Sequence, residues 1–230
     1  MNFSTLFRLR ENLNLDKKTL IYLRWIAIIG QFLAITLVHF YLDLNLPIKF
    51  AYSILIFGLI TNLYLQLKIK TTLLKDFHAA TYLFYDLLQL SSLLYLTGGI
   101  YNPFSILIII PTIVSSTFLS MGTTMILGIF TLLFLFMLTI FHYPLPGIHD
   151  EISSFPSLYL TGYLIAIIIG LVFLSYFGIR FSGESKRRSD AVNKLQQVIA
   201  KEYELESLGG QAAAAAHSLG TPLATISVVA

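Results

Sequence analysis

Residues 158–180 read LYLTGYLIAIIIGLVFLSYFGIR, and no charged side chain occurs in this run before Arg180. An α-helix rises about 1.5 Å per residue, so about 20 residues of this kind cross the roughly 30 Å hydrocarbon core of a bilayer. A run of this length and apolarity is typical of a transmembrane helix. We therefore interpret residues 158–181 as a membrane span.

Five upstream segments have the same character. The chain has 230 residues, of which 56% are apolar and 12% are charged, and this composition is typical of a polytopic membrane protein. The predicted fold class is therefore an all-α membrane protein with six transmembrane helices. The six predicted spans are 21–42, 49–67, 78–97, 104–120, 121–142 and 158–181. We expect the turn between the fourth and fifth spans at 120–124 and a kink at Pro111.

The basic residues predict the orientation of these spans, because Lys and Arg concentrate in cytoplasmic loops. In the six-span arrangement, fourteen of the fifteen basic residues fall on one side, and Lys49 alone falls on the other. Both termini are therefore predicted to be cytoplasmic, and the 143–157 loop is predicted to lie on the far side. The fourteen are Arg8, Arg10, Lys17, Lys18, Arg24, Lys68, Lys70, Lys75, Arg180, Lys186, Arg187, Arg188, Lys194 and Lys201.

Residues 182–210 form a different kind of sequence, in which apolar residues recur at helical spacing among charged ones. We interpret this segment as an amphipathic helix that continues the sixth span into the cytoplasm and pairs in a dimer. The alternative is a solvated single helix. Gly209 and Gly210 are expected to weaken the helix at its end. The apolar residues are Val192, Leu195, Ile199, Leu205 and Leu208.

The segment Gly98-Gly99-Ile100-Tyr101-Asn102-Pro103-Phe104 separates the third and fourth spans. Glycines are suited to end one helix, Asn102 is a good N-cap for the next, and Pro103 suits a first helical position. Turn chemistry alone therefore predicts a tight helical hairpin.

Asp86 lies inside the third predicted span, where a carboxylate is costly and is a functional candidate. The alternative is a structural hydrogen bond, with Asn62 as the expected partner, that joins the second and third spans. The chain has no cysteine, and His39, His142 and His149 lack the spacing of metal ligands, so we predict no metal site.

The last feature is Ala212-Ala213-Ala214-Ala215-Ala216-His217-Ser218-Leu219-Gly220-Thr221-Pro222-Leu223-Ala224-Thr225-Ile226. Alanine has the highest helix propensity, so residues 211–219 are predicted to be helical, and Pro222 is predicted to kink the helix near His217. A neutral imidazole is a competent nucleophile near neutral pH. The alternative is an alanine-rich helix with one idle, exposed histidine.

This segment resembles the H-box of sensor histidine kinases, the phosphoacceptor part of the dimerisation helix, and is most similar to that of RegB/PrrB-type redox-sensing kinases. The resemblance implies that His217 accepts phosphate and that Thr221 occupies the position used to dephosphorylate the response regulator. Ser218 replaces the acidic residue that usually follows the phosphoacceptor. The resemblance also implies a homodimer in the bacterial inner membrane that acts on a response regulator, and gives no reason to expect nucleic acid binding.

The turn resembles the Gly-Gly-x-x-Asn-Pro-Phe segment that this family carries between its third and fourth spans and that is tied to ubiquinone binding. The implied ubiquinone-binding residues are Gly98, Gly99, Tyr101, Asn102, Pro103 and Phe104, with Asp86 as a coupling residue. The function so predicted is the sensor half of a histidine kinase that responds to quinone redox state. A rival interpretation is a small transporter or quinone-binding membrane protein without kinase activity.

No stretch of the chain resembles a phosphate-binding glycine-rich loop, so ATP and Mg²⁺ are expected to act only through a catalytic domain outside these residues. Kinase activity is thus expected of a longer parent protein, with residues 1–230 inactive alone. The predicted domains are a cytoplasmic segment at 1–20, a six-helix sensor at 21–181, a helical linker at 182–210, and an incomplete dimerisation and phosphoacceptor domain at 211–230.

Overall fold

A computed structural model describes residues 15–144 and 156–229, and these residues are almost entirely helical. The main helices are α1 (Lys17–Thr36), α2 (Ile48–Lys68), α3 (Asp76–Leu96), α4 (Ile110–Phe118), α5 (Met121–Ile140) and α6 (Ser157–Val229). A π-helical turn, Leu37–Tyr41, extends α1, and two 3-10 helices, Gly99–Tyr101 and Pro103–Ile109, precede α4. The chain divides into two compact units, Met1–Gly183 and Glu184–Ala230, and each is described by itself.

Consecutive helices of the first unit run in opposite directions. Hydrogen bonds join Thr36 to Tyr52 and Arg24 to Thr61, so an early residue of α1 meets a late residue of α2. The same antiparallel relation joins α4 to α5, where the Thr112 and Thr131 hydroxyls lie 2.7 Å apart. Alternation of this kind lets short connections link helices that are packed side by side.

Four helical segments have the length and apolarity of a membrane span, namely Lys17–Tyr41, Ile48–Lys68, Met121–Ile140 and Leu158–Ala216. Four candidate spans are therefore found among the described residues, and the predicted count of six is not confirmed. The third predicted span, α3, has 21 residues, but Asp86 and Gln89 lie within it and lower its apolarity. The fourth is a shorter apolar segment, Pro103–Phe118, whose first part is a 3-10 helix.

Two very short strands were not predicted by the all-α interpretation. Leu15–Asp16 pairs antiparallel with Leu73–Leu74, with Leu15 opposite Leu74. Beside this pair, Lys17 Nζ donates to the Ile69 carbonyl oxygen at 2.6 Å, which satisfies a carbonyl at the end of α2. These contacts attach the start of α1 to the α2–α3 connection.

The α4–α5 turn is shorter than the expected 120–124, because Met121 already begins α5. Ser120 is the N-cap, and its Oγ accepts a hydrogen bond from the Thr123 N–H at 3.2 Å. The Asp76 carboxylate accepts from the Ser120 N–H at 2.7 Å and also from the Thr123 hydroxyl. Pro111, where a kink was expected, lies in the first turn of α4, just after the 3-10 helix ends, so it does not interrupt a continuous α-helix.

The second unit is the C-terminal part of α6. The helix is continuous through Gly209 and Gly210 and over residues 211–219, which confirms the predicted helix and shows no break at the glycines. The apolar residues of the 182–210 segment from Val192 to Leu208 are exposed, with 43% to 61% of Val192, Leu195, Ile199, Leu205 and Leu208 accessible. A helix that pairs in a dimer and a solvated single helix would both have these side chains exposed in one isolated chain. Their exposure therefore does not distinguish the two interpretations.

Candidate functional site

The turn between α3 and the 3-10 helices has the backbone that its sequence predicts. Gly98 and Gly99 have positive φ angles of 105° and 57°, a region that favours glycine, so the two glycines end α3. Asn102 is the N-cap of Pro103–Ile109, where its Oδ1 accepts a hydrogen bond from the Phe104 N–H at 2.9 Å. The predicted roles of these glycines, Asn102 and Pro103 in the turn are confirmed.

The Asn102 amide group is fully engaged within the turn. Its Nδ2 donates to the Thr97 carbonyl oxygen at 3.0 Å and to the Thr97 hydroxyl at 2.7 Å. Because both amide hydrogens have acceptors there, Asn102 is a structural clamp between the end of α3 and the next helix. The family resemblance had implied that Asn102 is a ubiquinone-binding residue, whereas its amide group has no hydrogen left to donate to a ligand.

Gly99 also makes a close approach to the end of α5. A Cβ atom at this position would lie 2.5 Å from the Leu138 carbonyl oxygen and 2.6 Å from His142 Cβ. Next to it, the rings of Tyr101 and His142 have their centroids 5.2 Å apart. The second glycine is therefore required by tertiary packing as well as by its backbone angles.

Phe104 presents an aromatic surface at the other side of the turn, with 48% of the residue exposed. The following residue, Ser105, is fully buried, and its hydroxyl lies 2.9 Å from the Tyr163 hydroxyl of α6. This contact attaches the 3-10 helix to α6. The turn thus brings Tyr101, Asn102 and Phe104 into one local structure, but only Phe104 is substantially exposed.

A groove of about 450 Å³ lies beside the turn, between α2, α3 and α5. Its walls are mainly apolar and include Tyr95 and Phe141, whereas no residue from Gly98 to Phe104 lines it. Phe141 is adjacent in sequence to His142, which contacts Tyr101, so the end of α5 borders both the groove and the turn. Sequence analysis did not predict this groove, because helices distant in the chain form it.

Asp86 is not part of the turn, because it lies ten residues before the end of α3 at Leu96, about 15 Å along the helix axis. The prediction that Asp86 bonds Asn62 is wrong, because the partner of Asp86 is Arg24, whose Nε lies 2.8 Å from Asp86 Oδ1. Arg24 was counted with the cytoplasmic basic residues, but it is buried in α1. Asn62 instead directs its Nδ2 to the Ile21 carbonyl oxygen at 3.5 Å. A buried arginine has no sequence signal beyond its place inside a predicted span.

His217, Ser218 and Thr221 all lie on the helical backbone of α6, and the helix continues past Pro222. In this part of α6 the structure describes side chains only up to Ala216, so the side chains of these three residues are not among those described. They belong to the second unit, whereas the turn, the groove and Asp86 belong to the first. Among the described residues, no group of three or more His, Asp or Glu side chains is arranged to hold a metal ion.

Comparison with known proteins adds one kind of relative. Two sequences named Sensor histidine kinase RegB, both from Cereibacter sphaeroides, are 39% identical to this chain over 213 residues, which is 92% of the chain. The matched part is 46% of each relative, so the chain spans about half the length of the curated relatives it matches. No protein-family model matches the chain, and no solved structure matches it.

Proposed function

The chain is a relative of the RegB-type sensor histidine kinases, and we propose that it is the membrane sensor and phosphoacceptor segment of such a kinase. The observation that carries this proposal is the 39% identity over 92% of the chain. A transporter or quinone carrier without kinase activity would not account for that similarity together with the His217 segment.

In the proposed reaction, the neutral imidazole of His217 attacks the γ-phosphorus of ATP held with Mg²⁺ by the catalytic domain of the longer protein. The imidazole gives up a proton as the phosphorus–nitrogen bond forms, and ADP leaves. A general base assists such a step by roughly a hundredfold or more. Ser218 is not basic enough to serve, so we expect slow autophosphorylation. Thr221 is proposed to orient water when the response regulator is dephosphorylated, after the regulator aspartate has taken the phosphoryl group from His217.

The proposed signal is the redox state of ubiquinone bound near the 98–104 turn. A quinone requires apolar space for its tail and an aromatic face for its ring. Support comes from Phe104, which is exposed at the turn, and from the apolar groove of about 450 Å³. The end of α5 borders both the groove and the turn. In this arrangement Gly98, Gly99, Asn102 and Pro103 shape the turn, and Tyr101 and Phe104 are the side chains that meet the ring.

We propose six crossings of the bacterial inner membrane, with both termini cytoplasmic. The alternating helix directions and the distribution of basic residues support this topology. The 182–210 segment is proposed to pair with its counterpart in a homodimer, because exposed apolar side chains recur along one helix. A helix that pairs in this way is a suitable means of conveying a change in the bundle to His217.

The kinase proposal is tested by phosphorylation of a chimaera. Residues 1–230 are joined in register to the remaining part of RegB from Cereibacter sphaeroides, and the membranes are supplied with ATP labelled in its γ-phosphate. We expect label on the protein that is stable to base and labile to acid, as a phosphohistidine is. His217→Gln should remove the label, whereas His78→Gln, a matched control at an exposed histidine at the start of α3, should retain it. Label that persists in His217→Gln would reject the assignment of the phosphoacceptor.

A further inference from the structure

Arg24 lies within the packed helices of the first unit and not at their edge. It follows Lys17 by seven residues of α1, about 10 Å of helix rise, and only 3% of the residue is exposed. A buried guanidinium is costly unless its charge and its donors are matched. The contacts of Arg24 therefore decide what the residue does.

Two other helices supply those contacts. Arg24 Nε donates to Asp86 Oδ1 of α3 at 2.8 Å, and Nη2 donates to the Thr61 hydroxyl of α2 at 2.8 Å. The Thr61 hydroxyl donates its own hydrogen to the Gly58 carbonyl oxygen at 2.8 Å, which leaves its oxygen oriented to accept from Arg24. One side chain thus joins α1, α2 and α3.

Aromatic rings complete the surroundings of the guanidinium. Its central carbon lies 5.3 Å from the ring centroid of Tyr82 and 5.4 Å from that of Tyr85, both on α3. Rings at this distance attract a cation through their quadrupoles. Nη1 is buried and has no hydrogen-bond acceptor among the described residues, so the guanidinium as a whole relies on the Asp86 carboxylate, the Thr61 hydroxyl and these rings.

A second polar contact lies on the same face of α1, two turns further along. Gln31 Oε1 accepts a hydrogen bond from Gln89 Nε2 at 2.8 Å. Arg24 and Gln31 are seven residues apart, and Asp86 and Gln89 are three apart, so each pair occupies one face of its helix. A slip of α1 by one turn, about 5.4 Å, would break both contacts together.

We propose that Arg24 is the internal counter-ion of Asp86 and that their ion pair, with Thr61, sets the register of α1 against α2 and α3. Arg24 and Thr61 are then positioning residues for the control of His217, a role that rests on the proposed kinase function. Asp86 is a structural anion held by Arg24, and it is not a free acid that faces a quinone. A shift of one helix past another by about a turn is a known way for packed helices to pass on a signal, and loss of the ion pair would permit it here.

A double-mutant cycle on the 230-residue chain in detergent micelles tests the pair. Arg24→Gln leaves the half-buried Asp86 carboxylate without its partner, and Asp86→Asn leaves the buried Arg24 guanidinium without its own, so each variant should unfold about tenfold faster at a fixed fraction of SDS. The double variant leaves no charge and should unfold within about threefold of the wild-type rate. The matched control is Asp43→Asn, a change of the same kind at an exposed residue whose φ of 51° Asn tolerates. Its effect should simply add to that of Arg24→Gln.

A milder variant keeps the test decisive if the single charge variants do not fold. Thr61→Val removes the acceptor of Arg24 Nη2 with little change in volume. It should speed unfolding in the wild-type background and have a clearly smaller effect when Arg24→Gln and Asp86→Asn are both present, because only the other hydrogen bonds of Thr61, such as that to the Gly58 carbonyl oxygen, are then lost. Additive effects throughout either cycle would overturn the ion pair as the element that sets register.

The signalling role is tested in the chimaera by the phosphate content of His217. Both single charge variants should change it by about threefold or more in the same direction, and the double variant should restore it. Unchanged labelling in all three variants would overturn the positioning role. A wild-type chimaera that takes no label would count against the proposed kinase function alone, and the unfolding cycle would still decide whether the ion pair sets the register.

Discussion

Gly99→Ala is expected to destabilise the first unit strongly, because the added methyl group meets two obstacles at once. The backbone at this residue has a φ of 57°, in the left-handed region that L side chains disfavour. The new Cβ would also lie 2.5 Å from the Leu138 carbonyl oxygen. That oxygen belongs to the backbone of α5, so it does not move aside as the end of a flexible side chain would.

The size of the effect follows from these two contributions. The left-handed conformation costs an alanine about 1–2 kcal/mol, and forcing a methyl into filled space costs about 1–3 kcal/mol. Replacing glycine lowers the entropy of the unfolded chain, which offsets about 0.4–1 kcal/mol. We therefore expect the free energy of unfolding to fall by about 2–3 kcal/mol.

Reversible unfolding by SDS in mixed micelles, followed by far-UV circular dichroism, measures this difference. The matched control is Gly128→Ala on α5, where a Cβ would meet only a methyl carbon of Thr112, at 3.8 Å. The control should be neutral or stabilising by up to about 1 kcal/mol, because alanine favours helix over glycine. Gly99→Ala with a stability within about 0.5 kcal/mol of the control would refute the argument from close packing.

Three further predictions concern topology, phosphorylation and ligand binding. A reporter active only outside the cytoplasm should be active when fused after Asp150, which lies outside the described residues, and silent after Lys70; the reverse pattern would contradict six crossings. Ser218→Glu in the chimaera should speed labelling of His217 about tenfold or more if a missing general base limits the rate, and an unchanged rate would remove that account. Phe104→Ala should weaken binding of a ubiquinone analogue by about 1 kcal/mol, measured by titration of purified protein, whereas Phe173→Ala, at an exposed phenylalanine further along α6 (64% exposed, against 48% for Phe104), should not. Equal affinities for both variants would leave the turn without a role in binding.

Local signals in the sequence predicted the elements that depend on few neighbouring residues. The apolar run at 158–180 predicted a span because its length and composition suffice, whatever packs against it. The turn was predictable for the same reason, since the cap at Asn102 accepts from a residue two positions away. Helix formation over residues 211–219 likewise followed from alanine propensity.

Signals that depend on distant residues were misjudged or missed. Arg24 was assigned to the membrane edge because a basic residue near the start of a span usually lies there. Asp86 was expected to bond Asn62 because both are polar residues inside predicted spans. The observed partners, Arg24 and Asp86, are 62 residues apart in the chain, and nothing in either local sequence relates them.

The sequence by itself determined that this chain is a helical membrane protein, where its third helix turns back, and which histidine resembles a phosphoacceptor. Each of these depends on the composition and order of adjacent residues. Only the tertiary structure decided that Arg24 neutralises Asp86, that Gly99 must be small to admit the Leu138 carbonyl, and that a groove borders the turn. The physical reason is that such contacts depend on how helices distant in the chain pack, and packing is set by the summed burial and pairing of many residues, which no short segment specifies.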